Sequence, residues 1–87
     1  LEITYTERAL KERDFWKKSG DKKIQKRITL LLNAIIADPQ SGIGKPEILR
    51  GNLNGLWSRP IDQEHRLVYF VNLEEEKITI ISMRFHY

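Results

Sequence analysis

A chain of 87 residues, 40% hydrophobic and 31% charged, has room for one folded core and is too apolar to be a disordered tail. It has no cysteine, which removes disulfides, thiolate metal ligands and a cysteine nucleophile, and is compatible with the cytoplasm. Its net charge is only +3, but nine Lys and Arg residues fall between Arg8 and Arg27, so RNA, DNA or an acidic protein is the partner class to weigh against an ordinary solvated surface.

Residues 1–5 alternate apolar and polar and predict a strand. Thr6 can cap the helix that follows, with Glu7 in its first turn. That helix is expected to reach about Lys18 on a thin stripe of Ala9, Leu10 and Trp16, and Ser19-Gly20 ends it. Asp21 caps a stronger second helix. There Ile24, Ile28, Leu31, Leu32, Ile35 and Ile36 recur at helical spacing, and Asp38-Pro39 stops it. This helix is the main cover of the core, so truncating Leu32 or Ile35 is expected to unfold the domain.

After a Gly- and Pro-containing loop, residues 47–50 read as a short strand and Asn54-Gly55 as a hairpin turn. Residues 56–61 return, with Pro60 marking an edge, a bulge or a distortion. Residues 66–71 are almost continuously apolar, as in a strand covered on both faces, and 77–87 form the final strand. The fold class is α+β: a strand, two helices, then an antiparallel meander, in a single domain over 1–87. No apolar run approaches the roughly 20 residues of a membrane span, and no stretch reads as a signal peptide. Because the first residue is Leu1 rather than Met, it is not read as the start of translation.

Folding the meander at Asn54-Gly55 sets Glu47 and Ile48 opposite Ile61 and Asp62, and folding near Gln63 sets Ile61 opposite Arg66. The last turn brings Ser82 to Arg84 alongside Arg66. Glu47, Arg66, Arg84 and His86 thus gather at one end of the sheet, with Arg84 and His86 on one face of the last strand and Phe85 and Tyr87 on the other. In this register Glu47 and Arg66 face opposite ways, so a bulge or a twist is needed to unite them.

A carboxylate, a histidine and arginines suit RNA cleavage by its own 2′-hydroxyl. A base removes that proton, an acid protonates the departing 5′-oxygen, and cations offset charge on the phosphorane. A Glu beside Arg stays ionised, His titrates near neutrality, and Arg matches phosphate oxygens bidentately. Duller readings stand beside this one. Glu47 also fits a solvated strand position, and Arg66 fits an ion pair with Glu64 or Asp62. His65 and His86 lack metal-ligand spacing. Trp57 and Tyr69 read as core, whereas Tyr87, beside His86 at the end of the chain, is placed to stack on a base.

Gly44-Lys45-Pro46-Glu47, Asn52-Leu53-x-Gly55-x-Trp57-Ser58-Arg59, Glu64-His65-Arg66-Leu67-Val68-Tyr69 and the terminal Arg84-x-His86-Tyr87 together resemble the YoeB (Txe/YoeB) toxins of the RelE-like superfamily. The resemblance extends over essentially the whole chain. It implies a RelE-like fold and a bacterial, cytoplasmic endoribonuclease of a type II toxin–antitoxin module. Such an enzyme cuts mRNA in the ribosomal A site and stops translation without a metal or other cofactor. By motif, Glu47 would be the general base, His86 the general acid and Arg66 the phosphate-stabilising cation. Tyr87, Arg50, Arg59 and Arg84 would bind and position the substrate. Pro60 departs from the pattern, because relatives carry a second arginine there, and this bears on the positive charge the site presents.

The resemblance also implies a YefM-like antitoxin partner, a tendency to dimerise, and binding to operator DNA through the antitoxin complex. Lys22, Lys23, Lys26 and Arg27 would contact ribosomal RNA. Two rivals remain at this stage. One is a ParE-like toxin that acts on DNA gyrase, on the same fold but without the Glu47, Arg66 and His86 set. The other is a catalytically silent RNA-binding domain.

Overall fold

The computed structural model describes residues 1–49 and 55–85. In chain order the elements are β1 (Glu2–Tyr5), α1 (Glu7–Ser19), α2 (Lys22–Ala37), β2 (Glu47–Ile48), β3 (Leu56–Pro60), β4 (Arg66–Asn72) and β5 (Lys77–Ser82). The strands form one five-stranded sheet in the order β1-β5-β4-β3-β2. β2 to β5 make the expected antiparallel meander, and β1 joins parallel to β5, with Ile3 opposite Ile78. The two helices lie between β1 and the meander in sequence, and a connection of that length is what permits a parallel edge.

Local chemistry sets the helix ends. The Thr6 hydroxyl accepts from the Ala9 N–H at 3.1 Å, and the Asp21 carboxylate accepts from the Ile24 N–H at 3.1 Å. Gly20 closes α1 in the left-handed conformation (φ 75°) that a residue without Cβ adopts freely. Both helices cover one face of the sheet. Ala9, Trp16, Ile28, Leu31 and Ile35 pack there against Leu67, Tyr69, Val71, Ile78 and Ile80. Leu10 and Ile36, expected in the apolar stripes, are exposed, and Leu32 is only partly buried while Ile35 is fully so. The unfolding expected of a Leu32 truncation therefore belongs to Ile35.

The turns differ from expectation in ways that matter for the site. Gly55 has φ 82°, and a Cβ there would meet the Phe70 ring at 2.6 Å, whereas Asn54 lies outside the described residues. The β2–β3 register pairs Glu47 with Ser58 and Ile48 with Trp57 rather than with Ile61 and Asp62. The β3–β4 register pairs Pro60, not Ile61, with Arg66. Asp62 builds that turn by accepting from the Glu64 and His65 N–H groups at 2.9 and 2.7 Å. Pro60 sits beyond the two-residue β2, where its missing N–H leaves no ladder bond unmade on that side. A bulge between Val68 and Tyr69 places one extra residue, Ile81, in β5. The final strand stops at Ser82 instead of running to the end of the chain.

Candidate active site

The site is built on the face of the sheet that the helices leave open. Glu47 lies opposite Ser58, Ser58 opposite Val68, and Pro60 opposite Arg66. Side chains two residues apart along a strand share a face, so Glu47, Ser58 and Arg66 all point to the same side. The expectation of opposite faces is thus corrected. The turn between β3 and β4 holds one residue more than the simple fold assumed, and a one-residue slip exchanges faces. The real turn supplies the parity that a bulge or twist had been needed for.

Arg66 Nη2 lies 3.7 Å from Glu47 Oε2, and Arg66 Nε donates to the Ser58 hydroxyl at 3.0 Å. The Arg66 side chain is about four-fifths covered, while that of Glu47 is 68% exposed. With its carboxylate this exposed, the ion pair itself adds little to stability. What it provides is a solvent-accessible carboxylate held beside an anchored cation. Arg66 does not take the alternative partners. Asp62 is committed to its turn, and Glu64 approaches the His65 Nε2 at 3.6 Å.

The C-terminal segment passes directly beside this pair. After Ser82 the chain bends, and Phe85 adopts a left-handed backbone (φ 62°), so strand alternation does not carry on past β5. The Arg66 N–H donates to the Phe85 carbonyl at 3.1 Å, and the Phe85 N–H donates to His65 Nδ1 at 2.8 Å. Helix α1 holds the backbone two residues earlier. The Met83 N–H donates to Glu12 Oε1 at 2.6 Å, and the Trp16 indole N–H donates to the Met83 carbonyl at 2.9 Å. His86 is the next residue in sequence, and it lies outside the described residues, as do Tyr87 and Arg50.

Two arginines expected to bind substrate make other contacts. Arg59 is fully buried on the opposite, helix-covered face. It donates to the carbonyls of Asp38 (2.7 Å), Ser41 (3.0 Å) and Ile43 (2.7 Å) and to the Tyr69 hydroxyl (3.0 Å). Its donors fasten the loop after α2, which corrects its assignment to the substrate. Arg84 lays its guanidinium 3.6 Å from the Phe15 ring centroid of α1 and 4.6 Å from that of Phe85, a cation–π stack at the side of the tail.

The perturbed titrations also belong to the Arg59 cradle. Burial pushes the Tyr69 phenol above its usual value, against the opposing pull of Arg59. The Ser41 hydroxyl and the Gln40 N–H hold the Asp38 carboxyl below its usual value. Lys22, Lys23 and Lys26 are exposed along the first half of α2, whereas Arg27 is half-buried and donates to the Pro60 carbonyl at 3.2 Å. Among the described residues no group of three His, Cys, Asp or Glu side chains could hold a metal ion.

Sequence reasoning missed Ser58 as the partner of Arg66, and Glu12, Trp16 and His65 as the groups that hold the tail. Ser58 and His65 stand inside the quoted motifs, so their presence was visible but their roles were not. Nothing in the pattern of α1 distinguished Glu12 from its other charged residues.

The family described as "YoeB-like toxin of bacterial type II toxin-antitoxin system" matches residues 5–87. Toxin YoeB of Synechocystis sp. is 51% identical over 88 residues, which span 100% of this chain and 98% of that protein. The solved structure of the YoeB/ParE toxin from Agrobacterium tumefaciens superposes with a TM-score of 0.92 at 34% identity, covering 100% of both chains. The YoeB dimer from Staphylococcus aureus gives 0.86 at 42% identity, and the YoeB–YefM complex from the same organism 0.85 at 41%. Each of these two covers 100% of this chain and 98% of the other. Matched from the first strand to its last residue, and carrying the RelE-like arrangement of two helices on a five-stranded sheet, this chain belongs to the YoeB-like toxins of bacterial type II toxin–antitoxin systems.

Proposed function

We propose that the protein is an mRNA endoribonuclease that works in the ribosomal A site and so halts translation. The observation that carries this reading is the Glu47–Arg66 pair, 3.7 Å apart on the open face, with the tail that leads into His86 hydrogen-bonded to the Arg66 backbone. In the proposed reaction the Glu47 carboxylate takes the proton of a 2′-hydroxyl, and that oxygen attacks the adjacent phosphorus. Arg66 offsets the charge gathering on the phosphorane oxygens, with its guanidinium oriented by Ser58. His86, as imidazolium, gives a proton to the departing 5′-oxygen. The products are a 2′,3′-cyclic phosphate and a 5′-hydroxyl. Tyr87 would stack on a base, and Arg50 would add positive charge. Acid, base and cation all come from side chains, so chelation with EDTA should leave the rate unchanged.

The S. aureus relative is seen both as a dimer and with YefM, which supports a YefM-like antitoxin and self-association for this chain too. Operator DNA would be reached through the antitoxin complex. Acting on ribosomes places the protein in the bacterial cytoplasm, and among the described residues no helix is long and apolar enough to cross a membrane.

The test is to add the protein to translating ribosomes and map mRNA 5′ ends. Cuts at the A-site codon are expected. Intact mRNA with poisoned gyrase would instead favour a ParE-like activity. The exposed Lys22, Lys23 and Lys26 would contact ribosomal RNA, so replacing all three with Glu should weaken ribosome binding while leaving thermal stability within about 0.5 kcal/mol. A salt titration in which that variant and the wild type bind identically would remove the ribosomal role from α2.

A further inference from the structure

We propose that His65 is a positioning residue for the cleavage reaction, acting as a neutral hydrogen-bond acceptor that sets where the C-terminal tail enters the site. The idea rests on the nuclease reading above, because its effect on the rate runs through His86. His65 is buried, yet it is neither a metal ligand nor a plain packing residue. Its Nδ1 accepts the Phe85 N–H at 2.8 Å, which leaves the ring proton on Nε2, 3.6 Å from Glu64 Oε1. The ring is held edge-on by Trp16, with centroids 4.9 Å apart, and the same Trp16 donates to the Met83 carbonyl. One residue further on, the Arg66 N–H takes the Phe85 carbonyl at 3.1 Å.

Both backbone groups of Phe85 are therefore bound to consecutive residues of the meander, one of which carries the phosphate-binding cation. Phe85 also has the left-handed backbone that a bulky residue rarely adopts, which takes outside support to persist. The His65 acceptor supplies that support. Without it the Phe85 N–H loses its partner, and the tail can relax toward an ordinary extended path. The acid that follows Phe85 in sequence would then sit away from the scissile phosphate. A displacement of about 1 Å at a reacting group is enough to cost on the order of 100-fold in rate.

The experiment compares His65→Phe, His65→Gln and His65→Asn in the full chain. Phe keeps the ring packing on Trp16 but has no acceptor. Gln carries its amide at the level of Nε2, and Asn carries its oxygen at the level of Nδ1. Single-turnover cleavage on programmed ribosomes, thermal unfolding and amide exchange at Phe85 are measured together. His65→Phe should lose about 10- to 100-fold in the cleavage step, with ribosome affinity within about two-fold, and its Phe85 amide should exchange faster. His65→Asn should restore protection and most of the rate, and His65→Gln should not.

Wild-type rates in His65→Phe, or equal loss in Asn and Gln, would overturn the proposal. Should the Phe variant fail to fold, the Asn–Gln pair decides alone. If the wild type itself cuts no mRNA, the nuclease reading falls, while amide exchange still decides whether His65 holds the tail.

Discussion

Arg59 and Arg66 lie on neighbouring strands, one register step apart, and meet opposite fates. Arg59 pairs with Leu67 on the helix-covered face, where it is 0% exposed and its donors reach three carbonyls and a phenol. Arg66 pairs with Pro60 on the open face, with Nε on Ser58 and Nη2 turned toward an exposed carboxylate. A buried cation is tolerated only when its donors are matched, and once they are matched it has nothing left for a ligand. Chemistry toward a phosphate needs the other condition, a held guanidinium with an accessible counterpart. One face of this sheet uses an arginine to fasten a loop, and the other sets one beside an exposed carboxylate.

Removing Glu47 or Arg66 (Glu47→Ala, Arg66→Ala) should lower the single-turnover cleavage rate about 10²- to 10⁴-fold. Unfolding of Glu47→Ala should shift by no more than about 1 kcal/mol, because its carboxylate is open to solvent. Arg66→Ala should cost about 1–3 kcal/mol, because that side chain is mostly covered and bonded to the buried Ser58 hydroxyl. Calorimetry alongside the cleavage assay reads both numbers, and a large stability loss in Glu47→Ala would mean that this carboxylate is structural after all.

Arg59→Ala should do the reverse. Removing the fully buried Arg59 side chain, with its bonds to the carbonyls of Asp38, Ser41 and Ile43, should cost about 3 kcal/mol or more, seen as a lower denaturant midpoint. Any protein still folded should retain its cleavage rate. Loss of rate without loss of fold would return Arg59 to the substrate.

Tyr69→Phe is the mildest cut at the same cradle. It removes a hydroxyl that donates to the Pro39 carbonyl at 2.6 Å and accepts from Arg59, at a cost of about 1–2 kcal/mol. Its pH signature sharpens the assignment. Because burial raises the Tyr69 pKa above its unfolded value near 10, the phenol's contribution is fully present below that pH and is lost as pH rises through the folded value. Wild-type stability should fall above about pH 10, and Tyr69→Phe should flatten that alkaline limb. An unchanged slope would show that the phenol is not the group responsible.

Much of the fold was legible from nearest neighbours. Thr6, Asp21 and Gly20 act within one turn of their own positions, and the spacing of Ile28, Leu31 and Ile35 needs only the helical period to be read. The order of the hairpins in the chain was enough to set Glu47 and Arg66 at one end of the sheet. Their shared face was not legible, because it depends on whether the turn before Arg66 holds four residues or five. Asp62 decides that through two backbone hydrogen bonds made inside the turn. The end of β5 escaped prediction similarly. The residues from Met83 onward have strand-like composition, but Glu12, Trp16 and His65 pull the backbone out of the ladder.

Without coordinates, the residues already specify the helices with their caps, the meander, the inventory of reactive side chains and the family to which they point. Those follow from interactions between residues close along the chain, or from motifs that need no coordinates to be recognised. It took the folded chain to show which of two similar arginines is buried, that Glu47 and Arg66 look the same way, and that a buried histidine accepts from the tail. Each of these turns on strand register and on contacts between segments many residues apart. A shift of one residue there exchanges the faces of a strand while leaving the hydrophobic pattern almost unaltered.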